Sequence, residues 1–239
     1  MFLDGKYLKD EKEINAAKNE LFGSQNFKNL VAQLQELIPF VKEDLKFTKG
    51  YVFDTQSFED NSKGSIVTGR IITFGANDKI QITNTLIWNK KLETLVDTFV
   101  VNLKVKDEVQ DFYFTNDTLV ALGTQAIEDP ENKESETLPD NIDFVPFNTV
   151  VSQASFCLLG YNHCGPNCGD GLKYGGGPAS NPVDACCRAH DRCWKNFGSH
   201  DACCDAKILK CVRPYQVAYP YAFNMITGWF AYNASKCKK

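Results

Sequence analysis

Ten cysteines lie in this chain of 239 residues, and every one falls at Cys157 or later. The 156 residues before it have none. No other feature constrains the fold as tightly. A stretch as short as 157–239 with ten cysteines reads as a disulfide scaffold, and disulfides persist outside the reducing cytosol. A cysteine-free stretch relies on buried apolar surface instead. The chain therefore reads as two units with different stabilising strategies, and its length suits two.

Charge divides at the same place. Residues 157–239 hold ten Lys and Arg against five Asp and no Glu, a net of +5. The rest holds sixteen basic and twenty-five acidic residues, a net of −9. The basic part suits anionic membrane surfaces or phosphate groups, and nothing points to nucleic acid. No stretch approaches the roughly 20 apolar residues of a membrane helix. The start, MFLDGKYLKDEK, has no apolar signal core. The expectation is a mature, secreted form whose export signal is gone.

In residues 26–41 the apolar side chains Phe27, Leu30, Val31, Leu34, Ile38 and Val41 form a helical stripe that Pro39 ends or kinks. A preceding helix is expected over 10–21. From 51 to 122 the texture turns to short β-branched and aromatic runs, among them Ile71-Ile72, Phe99-Val100-Val101 and Phe112-Tyr113-Phe114. The expected front unit, residues 1–127, is an N-terminal helix packed on an antiparallel sheet, so the fold class is α+β. No catalytic motif occurs there. Residues 128–140 are acidic and hold two prolines, which marks a linker, taken as 128–156. The third unit is 157–239.

That unit opens with glycine-rich loops and continues as two expected helices, 182–197 and 201–212, broken at Gly198-Ser199. Cys186 and Cys193 are seven residues apart, as are Cys204 and Cys211. Two turns of helix put each pair on one face. A single antiparallel register then bridges Cys186 to Cys211 and Cys193 to Cys204. His190 lies between the staples on one helix, and Asp205 follows a staple on the other. A His and a carboxylate on facing, cross-linked helices suit a base and the group that orients it. A zinc module is the rival reading, since His190-x-x-Cys193 and Cys164-x-x-x-Cys168 superficially suit that ion. Cysteines in matching helical registers fit disulfides better.

The run Asp184-Ala-Cys186-Cys187-Arg-Ala-His190-Asp191-Arg-Cys193 resembles the active-site helix of secreted phospholipases A2, Asp-x-Cys-Cys-x-x-His-Asp-x-Cys, at every fixed position. Asn162-His163-Cys164-Gly165-Pro166-Asn167-Cys168-Gly169 is similar to that family's calcium loop. Cys204-Asp205 with Cys211 is similar to its second helix. The resemblance covers a third of the chain. The first motif is closest to the bee-venom-like branch and the loop to microbial or invertebrate forms. The resemblance implies a calcium-dependent hydrolase of the sn-2 ester of glycerophospholipids, acting at a phospholipid membrane surface. His190 would activate water. Asp191 would bind Ca2+ with the carbonyls of His163, Gly165 and Asn167, and the Gly165 amide would face the oxyanion. Asp205 would hold the far nitrogen of His190. It also implies a Cys164–Cys187 bridge and the two register-derived bridges. The chemistry is coherent, because calcium takes six to eight oxygens and a glycine-rich loop supplies carbonyls.

Three departures from the family pattern stand out. Asn167 replaces a usual glycine, where positive φ is required and Asn tolerates it better than most. Trp194 replaces a usual tyrosine that holds the second-helix aspartate, leaving Tyr215, Tyr219 and Tyr221 as substitutes. Cys157, Cys168, Cys203 and Cys237 leave three pairings, of which Cys157–Cys168 with Cys203–Cys237 is preferred. The aromatic tail, residues 215–232, reads either as cover for a small core or as an interfacial surface. Asn116-Asp-Thr and Asn233-Ala-Ser fit the glycosylation triplet. A non-catalytic toxin or receptor ligand is the alternative function, although such members lose the His or the calcium Asp and both remain here. The opposite charges suggest an acidic unit that contacts and regulates the basic one, with targeting as the rival role.

Overall fold

The computed structural model describes residues 2–56, 66–88, 94–126, 136–149, 157, 160–165 and 167–238. Its centre is one antiparallel sheet whose seven strands pair in chain order. They are β1 (Asp4–Tyr7), β2 (Lys46–Gln56), β3 (Ile66–Ala76), β4 (Ile80–Trp88), β5 (Thr94–Val105), β6 (Glu108–Thr115) and β7 (Thr118–Ala126). Tight turns make this meander possible. Asn116 and Asp117 alone join β6 to β7 with φ of 47° and 55°, a left-handed backbone that Asn and Asp tolerate and that matches strand twist.

Both faces of the sheet are covered. Along β3, Ile72, Phe74 and Ala76 face one core while Val67 and Ile71 face another. The first face carries α1 (Glu11–Gly23) and α2 (Gln25–Leu37). Asp10 caps α1 by accepting from the N–H groups of Lys12 and Glu13, and Ser24 caps α2 by accepting from Phe27. From α2, Phe27, Leu30, Val31 and Leu34 pack with Ile82, Phe99, Val101 and Phe114 of the sheet. Each such fully buried side chain contributes about 2 kcal/mol. Helix α2 stops at Leu37, short of the expected Val41, because Pro39 forces Ile38 into extended backbone.

The cysteine-rich part covers the second face with α3 (Pro182–Phe197), α4 (Ala202–Val212) and α5 (Pro220–Ala234). Helix α5 lies against β4, β5 and β6. It comes so near that a Cβ on Gly228 would sit 3.1 Å from Val96 Cγ1 and 3.2 Å from Thr85 Cγ2. Val100 and Tyr113 of the sheet share a core with Val183, Ile208, Leu209, Val212 and Ile226. Arg213 donates through Nε to Asp111 Oδ2 at 2.7 Å, and Asp111 is fully buried. The reading of the sequence did not place α5. Of the tail aromatics, Tyr221 and Phe223 are core residues, whereas Tyr232 is 49% exposed.

Residues 128–135 and 150–156 of the expected linker lie outside the described residues. Residues 136–149 run along the β1–β3 side of the sheet. The Glu136 carboxylate accepts from the N–H groups of Tyr221 and Ala222, capping α5. Asn141 N–H donates to Gly5 O, and the buried Asp54 accepts from Phe147 and Thr149 N–H.

All ten cysteines pair: Cys157–Cys168, Cys164–Cys187, Cys186–Cys211, Cys193–Cys204 and Cys203–Cys237. Both register-derived bridges and the preferred pairing of the remaining four are present. With every thiol in a disulfide, none is left as a zinc ligand. Among the described residues no helix is long and apolar enough to cross a membrane.

Candidate functional site

Asn181 opens α3 by accepting from Asp184 N–H, with Pro182 in the first turn. Asp201 opens α4 by accepting from Cys203 and Cys204 N–H. Two disulfides then cross-link the helices on either side of His190. This brings His190 Nε2 to 2.7 Å from Asp205 Oδ1, with both side chains nearly inaccessible. An ionised carboxylate only accepts, so Nε2 carries the hydrogen and Nδ1 is left with its lone pair.

Two further donors fix Asp205. Trp194 Nε1 donates to Oδ1 at 3.0 Å, and Asn233 Nδ2 donates to Oδ2 at 2.8 Å. Asn233 spends its second amide hydrogen on His200 O at 2.7 Å. Trp194 thus does through its N–H what a tyrosine hydroxyl would do. Tyr221, a candidate substitute, packs among Phe2, Tyr7 and Tyr51 instead. The Asn233 amide cannot carry a glycan and keep both bonds. The His190 ring is wedged between Trp194 and Phe230, with ring centroids at 4.4 and 4.7 Å. Asn233 and Phe230 both come from α5, and sequence reading missed both. That helix is apolar nearly all round because it is buried between the sheet and α4, so it shows no amphipathic stripe.

Asp184, fully buried, organises the loop before α3. Its Oδ1 accepts from His163 and Cys164 N–H, and its Oδ2 accepts from Asn162 and Ser180 N–H. The Cys164–Cys187 disulfide ties the same loop to α3. Asn167 has φ of 56°, as its position required, and Gly165 has 133°. The Gly165 carbonyl accepts from Cys168 N–H and the Asn167 carbonyl from Tyr174 N–H. Each carbonyl keeps a second lone pair.

Asp191 follows His190, so it projects about 100° away around the helix. Its Oδ2 is buried and has no hydrogen-bond partner among the described residues. Burial first, then the charges of Asp184 and Asp170, push its pKa up to about 7. Arg188 and Arg192, on the same helix, are engaged with Asp170. A buried carboxylate that lacks a donor and sits among other carboxylates is a group that a cation relieves. Asp191 fits a hard divalent ion on that ground. Among the described residues, no cluster of three or more His, Cys, Asp or Glu side chains suits a metal, so carbonyl oxygens would have to complete such a site.

The chain matches no protein-family model, no curated protein and no solved structure.

Proposed function

We propose that this protein is a secreted, calcium-dependent phospholipase A2 that hydrolyses the sn-2 ester of glycerophospholipids at a membrane surface. The observation that carries the reading is the His190–Asp205 contact at 2.7 Å across two cross-linked helices. In this reading Asp205 holds the imidazole in the tautomer whose Nδ1 accepts a proton. That nitrogen takes the proton from a water molecule as its oxygen attacks the ester carbonyl carbon. Asp205 then stabilises the imidazolium, which returns the proton to the leaving glycerol oxygen. The walls formed by Trp194 and Phe230 exclude bulk water from the pair and strengthen it.

Asp191 and the carbonyls of His163, Gly165 and Asn167 are the groups that would hold calcium. When bound, the ion would polarise the ester carbonyl and favour the oxyanion. The Gly165 N–H is the proposed second donor to that oxygen. Leu172 and Phe197, 50% and 67% exposed on the basic part of the chain, support contact with a lipid surface. The disulfides support an oxidising, extracellular setting.

The test is release of sn-2 fatty acid from mixed phosphatidylglycerol and phosphatidylcholine vesicles, with millimolar calcium or excess chelator. Calcium-dependent release is expected, with a fall of at least about a thousandfold in His190→Gln. Release that survives the substitution sinks the reading, as does none from the oxidised wild type. In the second case a non-catalytic binding module takes its place.

A further inference from the structure

Helices α2 and α5 cover opposite faces of the sheet, and both line one cleft of about 470 Å³. Between them the cleft is bounded by the first part of β5 and by the turn from β6 to β7. Small-molecule sites occupy about 300–1,000 Å³ and favour such seams.

The polar groups of the cleft are held in place. Asp97 Oδ1 accepts from Asn84 Nδ2 at 2.9 Å, and its Oδ2 accepts from Asn26 Nδ2 at 2.8 Å. Asp117 Oδ1 accepts from Asn29 Nδ2 at 2.6 Å, and Asn29 Oδ1 accepts from Gln25 Nε2 at 2.7 Å. Gln33 clamps the turn itself, because its Nε2 donates to Asp117 O and its Oε1 accepts from Leu119 N–H. Neutral amides therefore hold both carboxylates, and no Lys, Arg or His is among the described residues that line the cleft. An ionised carboxylate has about four lone-pair sites, so both keep acceptors to spare, and Gln25 and Asn29 each keep a second amide hydrogen.

The α5 wall is aromatic. Trp229 and Tyr232 both line the cleft, and their spacing along α5 puts them on one face. Tyr232 is 49% exposed, but Lys236 Nζ lies 3.7 Å from its ring centroid and steadies it.

These features select a class of ligand. Two carboxylates without a lining cation repel phosphate and other anions. Among the described residues no group of three side chains suits a metal. An organic ammonium would use the acceptors and the rings but leave the amide donors unanswered. A hydroxyl both donates and accepts, and the C–H face of a sugar ring suits the negative face of an aromatic ring. We infer that this cleft binds a neutral carbohydrate, with hydroxyls on Asp97, Asp117 and the amides and a sugar face on Trp229 or Tyr232. Such a site would hold the chain at glycosylated surfaces and give its cysteine-free part a targeting role. The inference does not rest on the hydrolase reading.

The experiment is NMR titration of the oxidised full chain. The chain is made without glycosylation, because Asn116 is exposed and lines the cleft, so a glycan there would stand at its mouth. The probes are lactose, maltose, mannobiose and N,N′-diacetylchitobiose at millimolar concentration, with tetramethylammonium chloride in parallel. At least one sugar is expected to bind and to move the side-chain amide signals of Gln25, Asn26 and Asn29. Tyr232→Ala should weaken that sugar by about threefold or more. Asp117→Asn, which keeps an acceptor for Asn29 and tolerates the positive φ of the turn, should weaken it by a similar factor. Binding by none of the sugars, binding that leaves those amide signals unmoved, or a loss in neither variant overturns the inference. So does binding of the ammonium in place of the sugars, which reassigns the cleft to organic cations. If the variants do not fold, the wild-type signals decide alone. No lipid enters these measurements, so their outcome and that of the hydrolysis assay are read separately.

Discussion

The cysteine-free front and the stapled back of this molecule solve the same problem in opposite ways. Residues 2–126 fill a core with Phe27, Leu30, Leu34, Phe74, Phe99 and Phe114, and carry no cross-link. The back buries His163, Asp184, His190 and Asp205, each at 6% exposure or less, and bends through glycines with positive φ. Polar burial and left-handed backbone are poor sources of stability. Five disulfides restrict the unfolded chain instead. Cross-links thus free side chains from packing duty, and the freed side chains are the ones with chemistry. The exception is the seam, where Asp111 and Arg213 form a buried pair with one member from each part.

That contrast can be broken most severely at the seam. Arg213→Ala leaves the fully buried Asp111 without its partner and should cost about 3–5 kcal/mol. Urea melts monitored separately in β5 and α4 should both shift; a shift in only one would show that the two parts fold independently. Next comes the staple between α3 and α4. Replacing Cys186 and Cys211 together by Ala opens a loop of sequence separation 25, worth about 3–4 kcal/mol. Amide exchange should speed up in α3 and α4 and stay slow in β3–β5. Equal acceleration in both would erase the distinction between the two strategies.

The mirror experiment is Leu34→Ala, expected to cost about 3 kcal/mol by opening a cavity under α2. The ring signals of His190 seen by NMR should not move, because Leu34 belongs to the other core. A smaller effect is expected at Asn233→Ala, which removes one of three donors to Asp205. Stability should fall by about 1 kcal/mol and hydrolysis by about tenfold, with Asn233→Gln restoring less than half. The smallest is a pH effect. The Asp191 carboxyl keeps its proton up to about 7 in the folded chain, while the unfolded chain loses it near 4. Stability in chelator should therefore decline as pH rises from 4 to 7, by several degrees in Tm. Calcium should flatten that slope, and a slope unchanged by calcium would argue against Asp191 as its ligand.

What could be read from the sequence followed the same divide. Helices α3 and α4 were legible because seven-residue cysteine spacing reports helical phase and register together. Helix α2 was legible because one face is buried and the other wet. Strand β3 was legible as a run of Ile, Val and Phe but not as a two-faced element, since both faces are buried and the alternation vanishes. Strand β1 has only four residues, Asp4–Tyr7, too few for a period to show. Of the candidate site, the facing of His190 and Asp205 was legible from cysteine spacing, while Asp191 was singled out only by the resemblance. Asn233 was not, because its contact with Asp205 spans 28 residues and depends on where α5 comes to rest.

Helix α5 touches the His190–Asp205 pair through Phe230 and Asn233, the sheet through Gly228, and residue Glu136 through its own N-terminus. A protease that nicks the chain between 127 and 135 would cut one covalent thread and none of these contacts. The two fragments would then travel together through size-exclusion chromatography and part only in denaturant. Shedding the acidic half, if cells use such a step, would take a second event that pulls a helix off a sheet. The chain behaves as a clasp rather than a tether.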